Sequence, residues 1–543
     1  MNAASKRSES KREKKFSKES RYRRLRVRIQ GINLRTFILA LSSGLLLFFS
    51  FPKYGAGLIA WVALVPLLFA LKDANISGGF ILGLITGISG YTGIMYWITH
   101  VVVNYGYLPY IVGVLVMMLL VMYLSIYVAL FAAGIVHCRS KGIPDVLSAP
   151  LLWVCLEFWK SHLLTGFPWE NIAYSQYLNT SIIQCADIAG IYGIAFLIVM
   201  INVIIHDVIT RRTKGVWIEV ALACVLLMIT YGYGVLRLNQ MKEPVRTPAS
   251  LHLSLIQGNI DQSIKWNPQY QRDTIRTYKT LSLEKASSGA GLIIWPETAV
   301  PFFFQDANDM HRDIAGIATI SGNWLLIGSP SYLHEENTMV ILNSAFLLSP
   351  DGKTRAKYDK VHLVPYGEYV PLRQFFPFIK KLVVGVGDFR PGTGFHPLPM
   401  NGHRIGVLIC YEGIFPEASR LYKERGADLL VNITNDAWFG KTSAPYQHLS
   451  MTVFRAVENR VYVASAANTG ISAIIDPTGR IVAQTELFEQ AALSHMVRLS
   501  DHETLYSRYG DVFVCVCMIT LLICYAVSLK RRNAYDWRNT RCY

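Results

Sequence analysis

Eight apolar runs limit what this chain can fold into: Thr36–Phe51, Tyr54–Leu71, Gly78–Trp97, Leu108–Val136, Val146–Trp159, Ile182–Ile205, Val216–Leu236 and Val512–Leu529. A helix crosses a bilayer core with about 20 apolar residues. The runs therefore predict a polytopic α-helical membrane bundle of about eight transmembrane helices, and the first, second and fifth are short for that task. Between the seventh and eighth runs, residues 240 to 505 have the mixed composition of a water-soluble domain. The chain thus has to satisfy at least two environments.

The formal charge of +16 suggests a nucleic-acid partner until its placement is read. Residues 1 to 35 hold thirteen Lys/Arg against Glu9, Glu13 and Glu19, and the end from Lys530 holds five against Asp536. The two tails carry +14 of the +16, which leaves no basic face for a duplex and predicts no nucleic-acid partner. The N-terminal tail reads as a solvated charge run. With that tail in the cytoplasm, the inner loops carry Lys72, Arg139, Lys141, Arg211, Arg212 and Lys214, and the outer loops only Lys53 and Lys160. Positive charge concentrates inside, so seven crossings put the large polar region outside the cytoplasm. The expected organisation is a basic cytoplasmic tail (1–35), a seven-helix transmembrane region (36–238), a polar domain outside the cytoplasm (245–500), a C-terminal transmembrane helix (511–530) and a basic cytoplasmic tail (531–543). A cleavable signal peptide is not expected, because the first apolar run follows a long basic tail and leads directly into more membrane segments.

The outer region reads as α/β. Short apolar runs at 251–256, 292–295, 325–328, 345–348, 405–409, 429–433, 462–466 and 471–475 predict strands. Polar stretches at 269–287, 307–320, 414–425 and 445–459 predict helices between them. Ser349-Pro350-Asp351-Gly352 and Asp476-Pro477-Thr478-Gly479 are hairpin-turn sequences.

Of nine cysteines, only Cys410 lies in this region, so it has neither a disulfide partner nor a cysteine neighbour for a metal site there. It ends the run Gly406-Val407-Leu408-Ile409 and precedes a predicted helix, a junction expected to favour a thiolate. Glu297 follows Ile294-Trp295-Pro296, and Lys360 follows the first hairpin. A thiol with a pKa of about 8.5 needs a base to become a nucleophile, and attack on an acyl carbonyl needs donors for the oxyanion. A carboxylate, a lysine and the backbone N–H after the cysteine meet those needs. Taken singly, Glu297 with Lys360 also reads as a surface ion pair, and Cys410 as a core thiol.

The surrounding strings decide between these readings. They are Gly166-Phe167-Pro168-Trp169, Tyr174-Ser175-Gln176, Gln257-Gly258-Asn259-Ile260, Lys265-Trp266, Trp295-Pro296-Glu297-Thr298, His362-Leu363-Val364-Pro365-Tyr366-Gly367-Glu368, Cys410-Tyr411-Glu412, Asn435-Asp436-Ala437-Trp438-Phe439-Gly440 and Gln447-His448. Together they resemble the nitrilase superfamily, and more closely its membrane-embedded branch, the apolipoprotein N-acyltransferases. The resemblance implies an αββα sandwich with Glu297 as general base, Lys360 as oxyanion stabiliser and Cys410 as nucleophile. It further implies that Glu368 supports the triad, while Trp266, Tyr411, Glu412 and Trp438 line or gate the substrate entrance.

The implied reaction moves a fatty acyl chain from a membrane phospholipid, through a cysteine thioester, to the α-amino group of an S-diacylglyceryl-cysteine apolipoprotein. The expected partners are those two lipids and the bilayer, and the expected state is a monomer. No cofactor is expected, and no metal: there is no HExxH pair, and Gly440-Lys441-Thr442 lacks the first glycine of a phosphate loop, with Asn435 in its place. The competing reading is a membrane-tethered amidohydrolase of nitrilase type, in which water resolves the thioester.

Overall fold

The computed structural model describes residues 31–211, 213–241, 250–285, 291–335, 338–370 and 388–540, with side chains through residue 531. Most of the basic N-terminal tail, up to residue 30, lies outside the described residues.

The apolar runs are largely helical, broken within the second run and kinked at Gly190 in the sixth. They form α1 (Leu34–Ser50), α2 (Ile76–Met95), α3 (Tyr110–Ser140), α4 (Asp145–His162), α5 (Ala186–Thr210) and α6 (Lys214–Gln240), and a further helix spans Val512–Thr540. Among the described residues, five helices are long and apolar enough to cross a membrane: α2, α3, α5, α6 and Val512–Arg531. The three runs that are short for a span differ from these. α1 has 17 residues. α4 has 18 residues, contains Pro150 and buries Glu157 and Lys160. The second run is not one helix but a 3-10 turn, Gly57–Trp61, followed by a six-residue helix, Val65–Ala70. Backbone groups freed by such a break need partners where water is scarce. The Asn202 side chain of α5 supplies them, donating to the Ala60 carbonyl (2.9 Å) and accepting from the Leu64 N–H (2.8 Å).

Residues 250–498 form two six-stranded sheets. The first has the order β12-β1-β2-β3-β4-β5, with β1 (Ser250–Gln257), β2 (Gly291–Ile294), β3 (Trp324–Glu335), β4 (Thr338–Leu348), β5 (Thr354–Asp359) and β12 (Ala491–Arg498). The second has the order β11-β10-β9-β8-β7-β6, with β6 (Leu398–Met400), β7 (His403–Ile409), β8 (Leu429–Thr434), β9 (Tyr462–Ala467), β10 (Ala473–Ile475) and β11 (Ile481–Gln484). The pairs β1–β2, β2–β3, β7–β8 and β8–β9 are parallel, and the central strand β2 and the end of β7, covered on both faces, are continuously apolar. In β2, Leu292 and Ile294 join the apolar cluster shared with the second sheet, whereas Ile293 and the following Trp295 pack with Ile275 and Tyr278 of α7 (Pro268–Lys285) and Ile314 and Ile317 of α8 (Asp309–Ser321). On the second sheet lie α9 (Pro416–Glu424) and α10 (Ala444–Asn459). The result is the expected αββα sandwich.

α10 is an amphiphile with no wet side. Every residue but Tyr446 is buried, because the second sheet covers one face and the bundle the other. Polar side chains fix the joint: Trp169 Nε1 donates to Gln447 Oε1 (2.9 Å), and Arg460 reaches Asp187 of α5 (2.7 Å). The two-sheet half and the bundle therefore share one apolar core.

Candidate active site

Glu297, Lys360 and Cys410 come from three strand ends, and the fold brings them to one place. Glu297 sits just beyond β2, Lys360 directly after β5, and Cys410 directly after β7 in the opposite sheet. All three are buried, at 6%, 1% and 9% exposure, which rules out the surface ion-pair reading of Glu297 and Lys360. Lys360 Nζ lies 3.3 Å from Glu297 Oε1 and 3.0 Å from Glu368 Oε1. Burial alone would lower the Lys360 ammonium, but the Glu368 and Glu297 carboxylates outweigh it and hold the pKa above the ordinary lysine range.

Backbone geometry makes the site tight. Cys410 has φ +54°, a left-handed conformation that a non-glycine residue keeps only when its surroundings hold it there. Across the site, Gly328 of β3 lies so close to the Glu297 loop that an added Cβ would stand 2.4 Å from the Pro296 carbonyl oxygen and 2.8 Å from Glu297 Cα. Glycine is required there by close approach.

The strand-to-helix junction was expected to favour a thiolate, but burial outweighs it. Burial pushes the Cys410 thiol well above its usual pKa, the Glu297 charge adds to the rise, and Lys360 opposes it. The resting group is therefore the thiol, and for Cys410 to act as a nucleophile its proton would have to leave as it attacks.

The other expected residues fall into different places. Glu368 touches Lys360, as expected of a supporting carboxylate. Glu412 was expected at the entrance, and the structure corrects this. Its side chain is fully buried beneath Cys410, with Oε1 accepting from Tyr358 Oη (2.8 Å), Val361 N (2.7 Å) and His362 N (3.0 Å), and Oε2 from Ile409 N (2.8 Å). Glu412 thus ties the backbone after Lys360 to the backbone before Cys410. Burial lifts its pKa to about 7, against the pull of those donors. Tyr411 is buried against Phe415 and donates to the Gly166 carbonyl of the bundle (3.4 Å). Trp438 and Trp266 are half-buried; Trp438 packs edge-on against Tyr105 of the bundle at 4.9 Å.

Sequence reasoning missed several site residues. Asn343 of β4 donates to Glu297 Oε1 (2.7 Å) and to Glu368 Oε1 (2.9 Å), bridging the two carboxylates. Its only signal is a polar residue inside the apolar run 340–348. Asn435 N donates to Glu297 Oε2 (3.1 Å). Lys265, 1% exposed, donates to Thr298 Oγ1 (2.7 Å) and the Glu297 carbonyl (3.3 Å), and burial lowers its pKa to about 7. Among the described residues, no group of three or more His, Cys, Asp or Glu is arranged to hold a metal ion.

Residues 252–506 match the family model for carbon-nitrogen hydrolase, and residues 43–204 match that for the apolipoprotein N-acyltransferase N-terminal domain. The chain is 46% identical over 521 residues to the apolipoprotein N-acyltransferase of Geobacter metallireducens, covering 95% of this chain and 99% of that one. This chain belongs to the apolipoprotein N-acyltransferase family. It is also 32% identical to the apolipoprotein N-acyltransferase of Methylococcus capsulatus, over 92% of this chain and 97% of the relative. Among solved structures, an amidase from Nesterenkonia sp. aligns with a TM-score of 0.37 and 23% identity, over 50% of this chain and 98% of that one.

Proposed function

We propose that this chain transfers a fatty acyl group from a membrane phospholipid to the N-terminal α-amino group of an S-diacylglyceryl-cysteine apolipoprotein, through a thioester on Cys410. The observation that carries this is the convergence of one buried thiol, one buried lysine and two carboxylates at the strand ends, in a member of this family.

In the first half-reaction, Cys410 Sγ attacks the ester carbonyl while Glu297 takes the thiol proton. Lys360 Nζ and the Tyr411 N–H donate to the oxyanion. The carbonyl–oxygen bond to glycerol breaks, Glu297 returns the proton to that oxygen, and a lysophospholipid leaves. In the second, the α-amino group attacks the thioester, its proton passes to Glu297, and the carbon–sulfur bond breaks to release an amide and restore the thiol. Ester to thioester to amide is driven by the stability of the final amide and needs no cofactor. Glu368 and Asn343 hold Glu297 and Lys360 in register, and Trp266, Tyr411 and Trp438 shape the approach. All these residues come from a single chain, which supports action as a monomer.

Residues 245–500 form the catalytic domain in this reading, and 36–238 with 511–530 anchor it. Placing that domain on the periplasmic side of the inner membrane is supported by the six-to-two excess of Lys/Arg in the loops assigned to the cytoplasm. A membrane anchor suits two lipid substrates, because encounter is confined to a plane and the acyl chain stays in apolar surroundings.

The test is amine dependence. Full-length protein with phospholipid should release lysophospholipid in step with amide formation when a diacylglyceryl-cysteine peptide is added. Free fatty acid appearing at the same rate with and without the peptide would instead identify a hydrolase.

A further inference from the structure

His448 belongs to no step above, yet its buried ring reaches the backbone of Cys410. It stands near the start of α10, 3% exposed, with Nδ1 at 3.2 Å from Asp436 Oδ1 and Nε2 at 3.1 Å from the Cys410 carbonyl oxygen. A neutral imidazole carries one N–H and one lone pair. Either neutral tautomer would therefore aim a lone pair at an oxygen. Both contacts are satisfied together only by the doubly protonated ring, facing one carboxylate and one carbonyl. Asp436 is fixed in turn by the Thr434 hydroxyl, which donates to the same Oδ1 (2.7 Å). Burial alone would lower the His448 pKa, but Asp436 and the two hydrogen bonds raise it, in agreement with the geometry.

The carbonyl that the ring touches belongs to the same planar trans peptide as the Tyr411 N–H. The two groups point in opposite directions, so a donor on the carbonyl sets the aim of the N–H. That N–H heads the turn Cys410–Ile414, where the first N–H groups have no acceptor within the turn. We infer that His448, held as an imidazolium by Asp436, is a positioning residue that fixes and polarises the Cys410–Tyr411 peptide and so aims the Tyr411 N–H at the acyl oxygen that becomes negative. The left-handed backbone of Cys410 is the feature most in need of such a hold. The imidazolium also offsets the Asp436 charge, which otherwise disfavours the Cys410 thiolate. The inference rests on the reading of Cys410 as the nucleophile.

The titratable and charged groups around the ring are Asp436 after β8, Cys410 after β7 and Glu297 after β2; the Trp169 ring of the bundle stacks on it at 6.3 Å and carries no charge. Because the folded pKa is raised, the charge is present at low pH and is lost as pH rises. Acylation by the wild type should therefore show an alkaline fall set by His448.

The experiment follows acyl mass gained by full-length protein from phosphatidylethanolamine in mixed micelles, by rapid quench, from about pH 5.5 to 9.5. His448→Gln keeps one donor without the charge. It should lower the acylation rate about 10- to 100-fold at neutral pH, a decade less than loss of a direct oxyanion donor. The half-saturating phospholipid concentration should stay within about twofold, and the alkaline fall should vanish. His448→Ala should be slower still, and Asp436→Asn should move the fall to lower pH. Lys265 is present in every variant, so a fall that it caused would not move.

An alkaline fall unchanged in both His448→Gln and Asp436→Asn, or a loss confined to half-saturation, overturns the inference. Should His448→Gln fail to fold, Asp436→Asn decides by the position of its fall alone. An adduct that survives in Cys410→Ala would instead remove the nucleophile assignment, and this inference with it.

Discussion

Replacing Lys265 with methionine should remove a pH dependence of stability that the wild-type fold carries. Lys265 is 1% exposed, hydrogen-bonds to the Thr298 hydroxyl and the Glu297 carbonyl, and has its pKa lowered by burial to about 7. An unfolded lysine titrates at about 10.4. Between these values the unfolded chain binds a proton that the folded chain does not, so this group makes stability rise with pH above about 7 and fall as pH drops toward it. Each pH unit inside the window is worth about 1.4 kcal/mol, so going from pH 7 to 9 adds up to about 2.5 kcal/mol. At roughly 2–4 °C per kcal/mol for a domain of this size, that is a rise in Tm of about 5–10 °C. The assay is thermal unfolding of full-length protein in detergent at matched scan rates. Lys423, lowered to about 8, has the same sign but is present in both proteins, so the difference between the two curves isolates Lys265. Methionine fills the same space without a titrating group, and the Lys265→Met curve should be flatter by about that amount. Parallel curves for the two proteins would refute the assignment of a near-neutral buried amine beside the catalytic carboxylate.

Three further outcomes follow from the structure. Gly328→Ala should cut acyl transfer about 100-fold, because the new Cβ displaces the Glu297 backbone rather than a flexible side chain; a wild-type rate would contradict the close approach. Glu412→Gln sets an amide N–H against either Ile409 N–H or the three donors on Oε1, and should cost about 2–4 kcal/mol of stability, read as a lower Tm; an unchanged Tm would show that those donors relax. A periplasm-active reporter fused near Met241 should be active and one near Lys214 inactive, and the reverse pattern would overturn the placement of the catalytic domain.

The parts of this fold that were legible in the sequence are those where one physical demand dominates. β2, β7 and β8 are largely buried on both faces, so they read as short runs dominated by apolar residues, and both proline-glycine hairpin turns join antiparallel strands. The strands β5, β6, β11 and β12 went unread: β6 is only three residues long, and the others are partly exposed and carry no continuous apolar pattern. The second apolar run reads as a span by composition, but its break is stabilised by Asn202, more than a hundred residues away. The site divides in the same way. Glu297, Lys360 and Cys410 stand at strand ends, where their chemistry is conspicuous. Asn343 and His448 act through distances that only the fold creates, and Lys265 is hidden beside the more noticeable Trp266. The junction that favours a thiolate can be read from sequence, whereas the full burial that opposes it cannot.

The central claim is that Cys410 carries the acyl group, and intact mass of the full-length protein after exposure to phospholipid alone tests it most directly. Wild-type protein should gain the mass of one acyl chain, lose it to neutral hydroxylamine, and pass it as an amide to a diacylglyceryl-cysteine peptide. Glu297→Gln should form the adduct far more slowly, and Cys410→Ala should form none. An acyl adduct that persists in Cys410→Ala would contradict the account.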